Sequence, residues 1–332
     1  FEHDLLKLFV IMNVAWHAAN DPYVRHFFKT WVPGARIPDR KTLSTRVLDE
    51  EVKTITDDVK VEVQQQYATG TVDGWSTKKD AIQCTGFNVN GKEYPGQLHI
   101  TTPERKTSAN LFEHVINDIQ WMLTLGIILV AFCCDSGGDS RGLRPLLLGV
   151  MPWILTIPCW GHQIQLVVTD YVQKAGDWVA ETLANCLVII NWFTGHKRAL
   201  SMLLEKQRSA NAPRLRSFIR AATTRWTTHY LSTRRMLDLK RMLRSLCEEH
   251  YDTLRLAGGE KEEQVEAAEK VLSIITEDRN FWSNLRVVKT YLEPLALAAN
   301  IAQSSSTRLD HVLLTLATLH RTYSTKLRFD RP

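Results

Sequence analysis

The chain has 332 residues, 44% of them hydrophobic and 23% charged, a balance that excludes wholesale disorder and leaves room for two or three domains. Six cysteines without paired spacing exclude the dense disulfide framework of a small secreted domain and point to a reducing compartment. The net charge of +5 averages over a sharp asymmetry: from Lys197 to Arg244, thirteen Lys and Arg stand against Glu205 and Asp238, a local +11 that leaves −6 elsewhere.

The opening Phe-Glu-His-Asp has neither an initiating Met nor the basic-then-apolar layout of a signal peptide, and reads as part of a longer protein. Residues 1–66 read as helical, with apolar positions at three- and four-residue spacing in Leu5, Leu6, Leu8, Phe9 and Met12 and again in Leu43, Val47 and Leu48. Pro33-Gly34 through Pro38-Asp39 separates the two stretches, and the second is predicted to start between Asp39 and Thr42. From Gly70 the pattern turns to short β-branched and aromatic runs at 69–75, 81–89 and 93–101. Asn90-Gly91 between the last two is a strong hairpin signal. A helix over 107–125 follows, with Leu111, Phe112, Val115, Ile116, Ile119, Met122 and Leu123 on one face and Gly126 at its end. The almost wholly apolar run 127–134 predicts a strand buried on both faces. A short helix at 142–148, a second buried strand at 153–158 and helices after Gly161 complete the pattern. The longest apolar run, 121–134, is too short to span a bilayer and contains Gly126, so no membrane segment is expected.

Three strands, helix, strand, helix, strand, helix is the order of a ribonuclease-H-like fold, an α/β mixed sheet flanked by helices. The predicted organisation is an N-terminal helical segment at 1–66, a ribonuclease-H-like core at 67–170, and an appended or inserted all-α subdomain at 171–332, with a break near Gly258-Gly259 ahead of an acidic run. In that order Asp73 lies on the first strand and Asp135 just beyond the fourth. Those strands are neighbours in such a sheet, so the two carboxylates are expected to converge. Hard oxygen ligands of this kind suit Mg²⁺ or Mn²⁺, and a pair of such metals activates a water or 3′-hydroxyl and stabilises the leaving oxygen of a phosphodiester. Taken singly, Asp73 also fits a turn residue and Asp135 a strand-end helix cap. The basic segment, interleaved with Phe218, Trp226, His229 and Tyr230, suits phosphate-backbone binding with aromatic stacking, and equally a solvated set of helix faces. Arg234 and Arg235 are its adjacent pair of cations.

Several phrases occur together in a telling order: Arg36-Ile37-Pro38-Asp39-Arg40-Lys41-Thr42-Leu43, Thr71-Val72-Asp73-Gly74-Trp75-Ser76, Cys134-Asp135-Ser136, Pro158-Cys159-Trp160-Gly161-His162-Gln163-Ile164-Gln165-Leu166-Val167-Val168, and Thr224-Arg225-Trp226. In this the chain resembles hAT-family DNA transposases and their domesticated relatives. The resemblance implies a nuclear, metal-dependent DDE nuclease and strand transferase acting on transposon ends, with a helical domain inserted in the core. Asp73 and Asp135 match its first two metal-binding acids. Cys159 and His162 match its Cys-x-x-His element, and Arg225 and Trp226 its Arg-Trp pair, whose tryptophan stacks on a displaced base. The family's third acid, a glutamate, lies in a C-terminal block that also makes the homo-oligomer. Nothing after Leu285 resembles that block, and Glu277, Asp278, Glu293 and Asp310 are expected in surface or capping roles. No Cys/His finger spacing precedes residue 40.

Asp135-Ser136-Gly137-Gly138 matches the nucleophile phrase of trypsin-like proteases, but Cys134 stands where they have Gly and the partner phrases are absent. A zinc site from Cys133, Cys134, Cys159 and His162 lacks ligand spacing. The competing expectation is a catalytically inactive transposase-like module that binds DNA or a protein without cutting.

Overall fold

A computed structural model describes residues 1–221, 227–304 and 306–329. By internal contacts the chain divides into two compact units, residues 1–133 with 142–156, and residues 134–141 with 157–332.

The first unit opens with α1 (Glu2–Ile11), a 3₁₀ turn (Trp16–Asn20) and α2 (Pro22–Trp31). Asp21 starts α2 by accepting the Tyr23 and Val24 N–H groups, and Pro22 occupies the first turn, where its missing N–H costs nothing. The next helical run is α3 (Arg40–Thr42), a π-turn (Leu43–Val47) and α4 (Leu48–Val63). It begins where expected, with Asp39 accepting the Thr42 N–H at 2.7 Å. Leu5, Leu6, Phe9, Ala19, Leu43 and Val47 form one core. The nearly buried Glu51 of α4 ties α1 down through His3 at 2.8 Å and Lys7 at 2.9 Å.

A five-stranded mixed sheet follows: β1 (Tyr67–Ser76), β2 (Ala81–Val89), β3 (Lys92–Ile100), β4 (Ile128–Cys134) and β5 (Leu155–Pro158), in the order β3-β2-β1-β4-β5. Asn90 and Gly91 both take positive φ, as a two-residue hairpin requires, and β2 and β3 pair antiparallel through Val89 and Lys92. β1 is antiparallel to β2 and parallel to β4. The edge strand β3 is bulged, its register shifting between Cys84 and Gly86 of β2, and it carries Pro95. Helix α5 (Ser108–Thr124), started by the Thr107 hydroxyl, packs on β2 and β3 with Leu111, Val115, Ile119 and Met122 buried. Beneath it the buried Asp118 carboxylate accepts the Thr85 hydroxyl at 2.7 Å and meets His99 Nε2 at 2.9 Å.

One expectation fails here. β4 is buried on both faces only over its second half: Leu129 and Ala131 are covered on one face, whereas on the other Ile128 and Val130 are 45% and 40% exposed before Phe132 and Cys134 are buried. β5 likewise leaves Leu155 exposed. An apolar run without alternation carries no signal of which face is covered, and here side chains of one type occupy both environments. The helix after β4 is longer than expected, α6 (Gly138–Val150), and starts directly after the turn.

The second unit is helical beyond β5: α7 (Trp160–Lys174), α8 (Asp177–Gly195), α9 (Lys197–Ser209), α10 (Thr227–Glu249), α11 (Tyr251–Arg255), α12 (Glu262–Thr276), α13 (Phe281–Ala302) and α14 (Leu309–Phe329). α13 is its spine, packing against α7, α8, α10 and α14. One core gathers Ile189, Phe193, Leu203, Met236, Leu243, Leu272 and Leu285; another gathers Ile164, Val168, Val179, Tyr230, Val288 and Leu292. Among the described residues no helix is long and apolar enough to cross a membrane.

The parallel β1–β4 contact depends on a missing side chain. A Cβ at Gly70 would stand 2.5 Å from Cδ2 of the fully buried Phe132 ring. Gly70→Ala is therefore expected to lose about 1–3 kcal/mol, the usual range for overpacking. Urea unfolding followed by circular dichroism measures it, and an unchanged midpoint would show that the ring yields freely.

Candidate functional site

Asp73 sits within β1, opposite Cys84 of β2, and is exposed. Its Oδ1 accepts the N–H of Gly74 at 2.8 Å. The turn that ends this strand lies further on, where the Thr77 hydroxyl accepts the Lys79 and Asp80 N–H groups, so Asp73 is a strand residue and not a turn former. The pairing of β1 with β4 runs to Thr71 beside Cys133. Asp73 lies two residues further along β1, and Asp135 two residues further along the chain from Cys133.

Asp135 is half-buried, with Oδ1 accepting the Gly137 N–H at 3.0 Å, the capping geometry that a carboxylate at a strand-to-helix turn adopts. The turn is tight, since a Cβ at Gly137 would meet Asp135 and Asp139 carboxylate oxygens at 3.1–3.4 Å. Within this second unit, the turn is joined to the start of α7 by two hydrogen bonds. The Cys159 N–H donates to the Cys134 carbonyl at 2.8 Å, and Gln163 Nε2 donates to the Ser136 hydroxyl at 2.5 Å. Cys159 occupies the N-cap position of α7 and the half-buried His162 its first turn, so the Cys-x-x-His element borders the Asp135 turn. Gln163, whose side chain makes that junction, carried no sequence signal beyond its place in the 158–168 phrase.

All six cysteines are unbridged. Among the described residues no three His, Cys, Asp or Glu side chains are grouped so as to hold a metal ion. Cys133 and Cys134 differ in burial, as neighbours on a strand do. Of the remaining acids, Asp278 accepts the Asn280 and Phe281 N–H groups at the start of α13, and Asp310 pairs with Arg308. Both match the capping and surface roles expected of them.

Arg225 and Trp226 lie outside the described residues. Arg234 and Arg235 are on α10, where they line a pocket of about 330 Å³ together with Arg214, Leu215, Arg216, Ile219, Leu231 and Asp238. The irregular segment carrying Arg214 and Arg216 is clamped by Gln207 of α9, a buried amide that accepts the Arg216 N–H at 2.8 Å and donates to the Arg216 carbonyl at 2.9 Å. Arg216 in turn pairs with Asp238, and Arg235 donates to the Ser217 carbonyl at 2.5 Å. Sequence reasoning found the charge but not this cleft, because Gln207 gives no sign in sequence that it folds the 213–220 stretch back onto α10. Further along α10, Lys240, Arg241 and Arg244 line a second, shallower depression with Leu237, Asp238, Ser245 and Glu248. Lys240 lies over the Trp282 ring, and burial followed by the charges of Arg286 and Arg244 holds its ammonium below the usual lysine value.

Among the described residues, the aromatic side chains of this segment serve packing more than stacking. Phe218 packs beside Phe193, ring centroids 5.5 Å apart. Tyr230 is buried, its hydroxyl donating to Glu293 Oε1 at 2.7 Å. Burial holds the His229 imidazole below its ordinary value.

The chain matches no protein-family model, and no curated protein is found to match it.

Lys289, 2.7 Å from Glu293 Oε2, together with the Tyr230 hydroxyl, holds the Glu293 carboxyl below the usual glutamate range. A group depressed in the folded state contributes stability that is complete above its unfolded value of about 4.3 and is lost as pH falls through the lower folded value. Urea midpoints should therefore fall more steeply between pH 5 and pH 3, each an approximate bound set by that value, in the native chain than in Glu293→Gln. Parallel profiles for the two proteins would remove this ion pair from the account of acid stability.

Proposed function

We propose that the chain is the nucleic-acid-processing core of a DNA transposase of the hAT type, on a ribonuclease-H-like sheet. Asp73 and Asp135 are two carboxylates of a DDE site for metal-dependent phosphodiester cleavage and strand transfer at transposon ends. The observation that carries this reading is the register of β1 with β4. Asp73 lies two residues beyond Thr71 along β1 and Asp135 two residues beyond Cys133, in the turn after β4, a spacing that favours a two-acid metal site at the ends of neighbouring parallel strands. The donor set fits Mg²⁺ or Mn²⁺: two carboxylates, one exposed and one half-buried, with Asp73 accepting the N–H of Gly74. Metal held there supplies a more acidic bound water and charge neutralisation at the phosphate. The cations of α10, Arg234 and Arg235 among them, hold the DNA backbone. By resemblance Cys159, His162, Arg225 and Trp226 belong beside the DNA. A DNA substrate of this kind implies a nuclear protein, and joining two transposon ends implies more than one copy.

The absence, among the described residues, of any three-membered metal-binding group favours a second reading: a transposase-derived module that binds DNA or a protein partner without cutting it. One experiment separates the two. Full-length protein incubated with Mg²⁺ and its matched end DNA is expected to nick it, and Asp73→Ala or Asp135→Ala is expected to abolish nicking while leaving DNA binding within about twofold, since neither change removes a cation. Tight DNA binding with no metal-dependent nicking would establish the non-cutting module.

A further inference from the structure

The pocket on α10 has a composition that backbone binding alone does not require. Four guanidinium groups stand around it against the single carboxylate of Asp238, which Arg216 already engages. Three apolar side chains, Leu215, Ile219 and Leu231, share its lining with the arginines, and the first and last of these are exposed. Arg214 and Arg234 are exposed and make no ion pair among the described residues. Arg216 and Arg235 are held in place by Asp238 and by the Ser217 carbonyl. Beyond the pocket the cations continue along the same helix to Arg241 and Arg244. Seven residues separate Arg234 from Arg241, about 10 Å along the axis at 1.5 Å per residue.

We infer that this cleft, between the 214–220 segment and α10, is a binding site for single-stranded nucleic acid. It seats one unpaired base against Leu215, Ile219 and Leu231 with its flanking phosphates on Arg214 and Arg234, and the strand runs on to Arg241 and Arg244. The apolar side chains and the guanidinium groups of one cleft together match the chemistry of a base with its flanking phosphates, and guanidinium planes also stack on bases. A duplex presents phosphates but keeps its base faces stacked, so it satisfies the rim and leaves the apolar wall bare. A compact polyanion satisfies the pocket but does not reach Arg241. The linear track along α10 therefore selects an extended strand. The inference rests on the nucleic-acid half of the proposed function and is independent of Asp73 and Asp135.

The test uses the 332-residue chain with a labelled oligo(dT), a blunt duplex of equal length, and inositol hexakisphosphate as a compact polyanion. The single strand is expected to bind at least about tenfold more tightly than the duplex, in line with the base-stacking range for one seated base. Arg214→Glu with Arg234→Glu is expected to weaken single-strand binding by tenfold or more and to flatten its log–log salt slope by about 0.7 for each phosphate contact removed. Arg241→Glu with Arg244→Glu should weaken it as well. Leu231→Ser, which removes the apolar contact without touching a charge, is expected to weaken single-strand binding and leave duplex binding unchanged. All five positions are exposed, so thermal unfolding should stay near the native value and mark any variant that misfolds. Equal affinity for single strand and duplex, with Leu231→Ser silent, would overturn the inference in favour of a general cationic face. Tight binding of the hexakisphosphate with single-strand binding indifferent to Arg241 and Arg244 would overturn it in favour of a small-anion site. Loss of Mg²⁺-dependent nicking in full-length protein with single-strand selectivity retained would defeat the cleavage proposal and leave this one standing.

Discussion

The parallel contact between β1 and β4 is the constraint on which the first unit is built. It requires the Phe132 ring to occupy the space above Gly70, so a residue without a side chain on one strand and the bulkiest side chain of the other solve a single packing problem. With that contact fixed, the hairpin of β2 and β3 can extend the sheet only on the far side of β1, giving the observed order β3-β2-β1-β4-β5. The same contact pairs Thr71 with Cys133, which stand two residues before Asp73 and Asp135 in the chain. The chemistry proposed for those carboxylates thus depends on a glycine that takes no part in it.

In the second unit the comparable role falls to Gln207. A buried amide is costly unless its donors and its acceptor are satisfied, and here the acceptor and the shorter donor bond go to the backbone of one residue, Arg216, while the amide nitrogen also donates to the Leu203 carbonyl at 3.4 Å. That turns an irregular, arginine-bearing stretch into a wall of fixed position. The Arg216–Asp238 and Arg235–Ser217 contacts then order two of the four guanidinium groups before any ligand arrives. Long cationic side chains lose rotamer freedom on binding, so ordering them in advance lowers the cost of association.

The order and type of the elements were legible in the sequence because each signal was local. Asp39 and Thr107 cap helices where they were expected to, and Asn90-Gly91 turns a hairpin. Burial was less legible. The run from Ile128 to Cys134 has no alternation to reveal that one of its faces opens at Ile128 and Val130, and Tyr230 and Phe218 look like stacking residues in a basic sequence although both face a core. Asp73 and Asp135 could be nominated from strand order, whereas Gln163 and Gln207 could not. Their importance lies in which distant backbone atoms they reach, and an isolated glutamine in a helix carries no trace of that.

The bulged, proline-bearing edge formed by β3 has a consequence for how this molecule can associate. An open strand edge is an invitation to grow, since its unpaired N–H and C=O groups can template another strand from any chain nearby. Pro95 removes one donor from that row, and the extra residue beside Gly96 twists the backbone out of register just where an incoming strand would have to align. Leu98 and Ile100 are exposed on this same strand, the combination that most favours runaway fibre formation. Its irregular backbone makes those side chains available for contact with a partner's surface while denying that partner a ladder to extend.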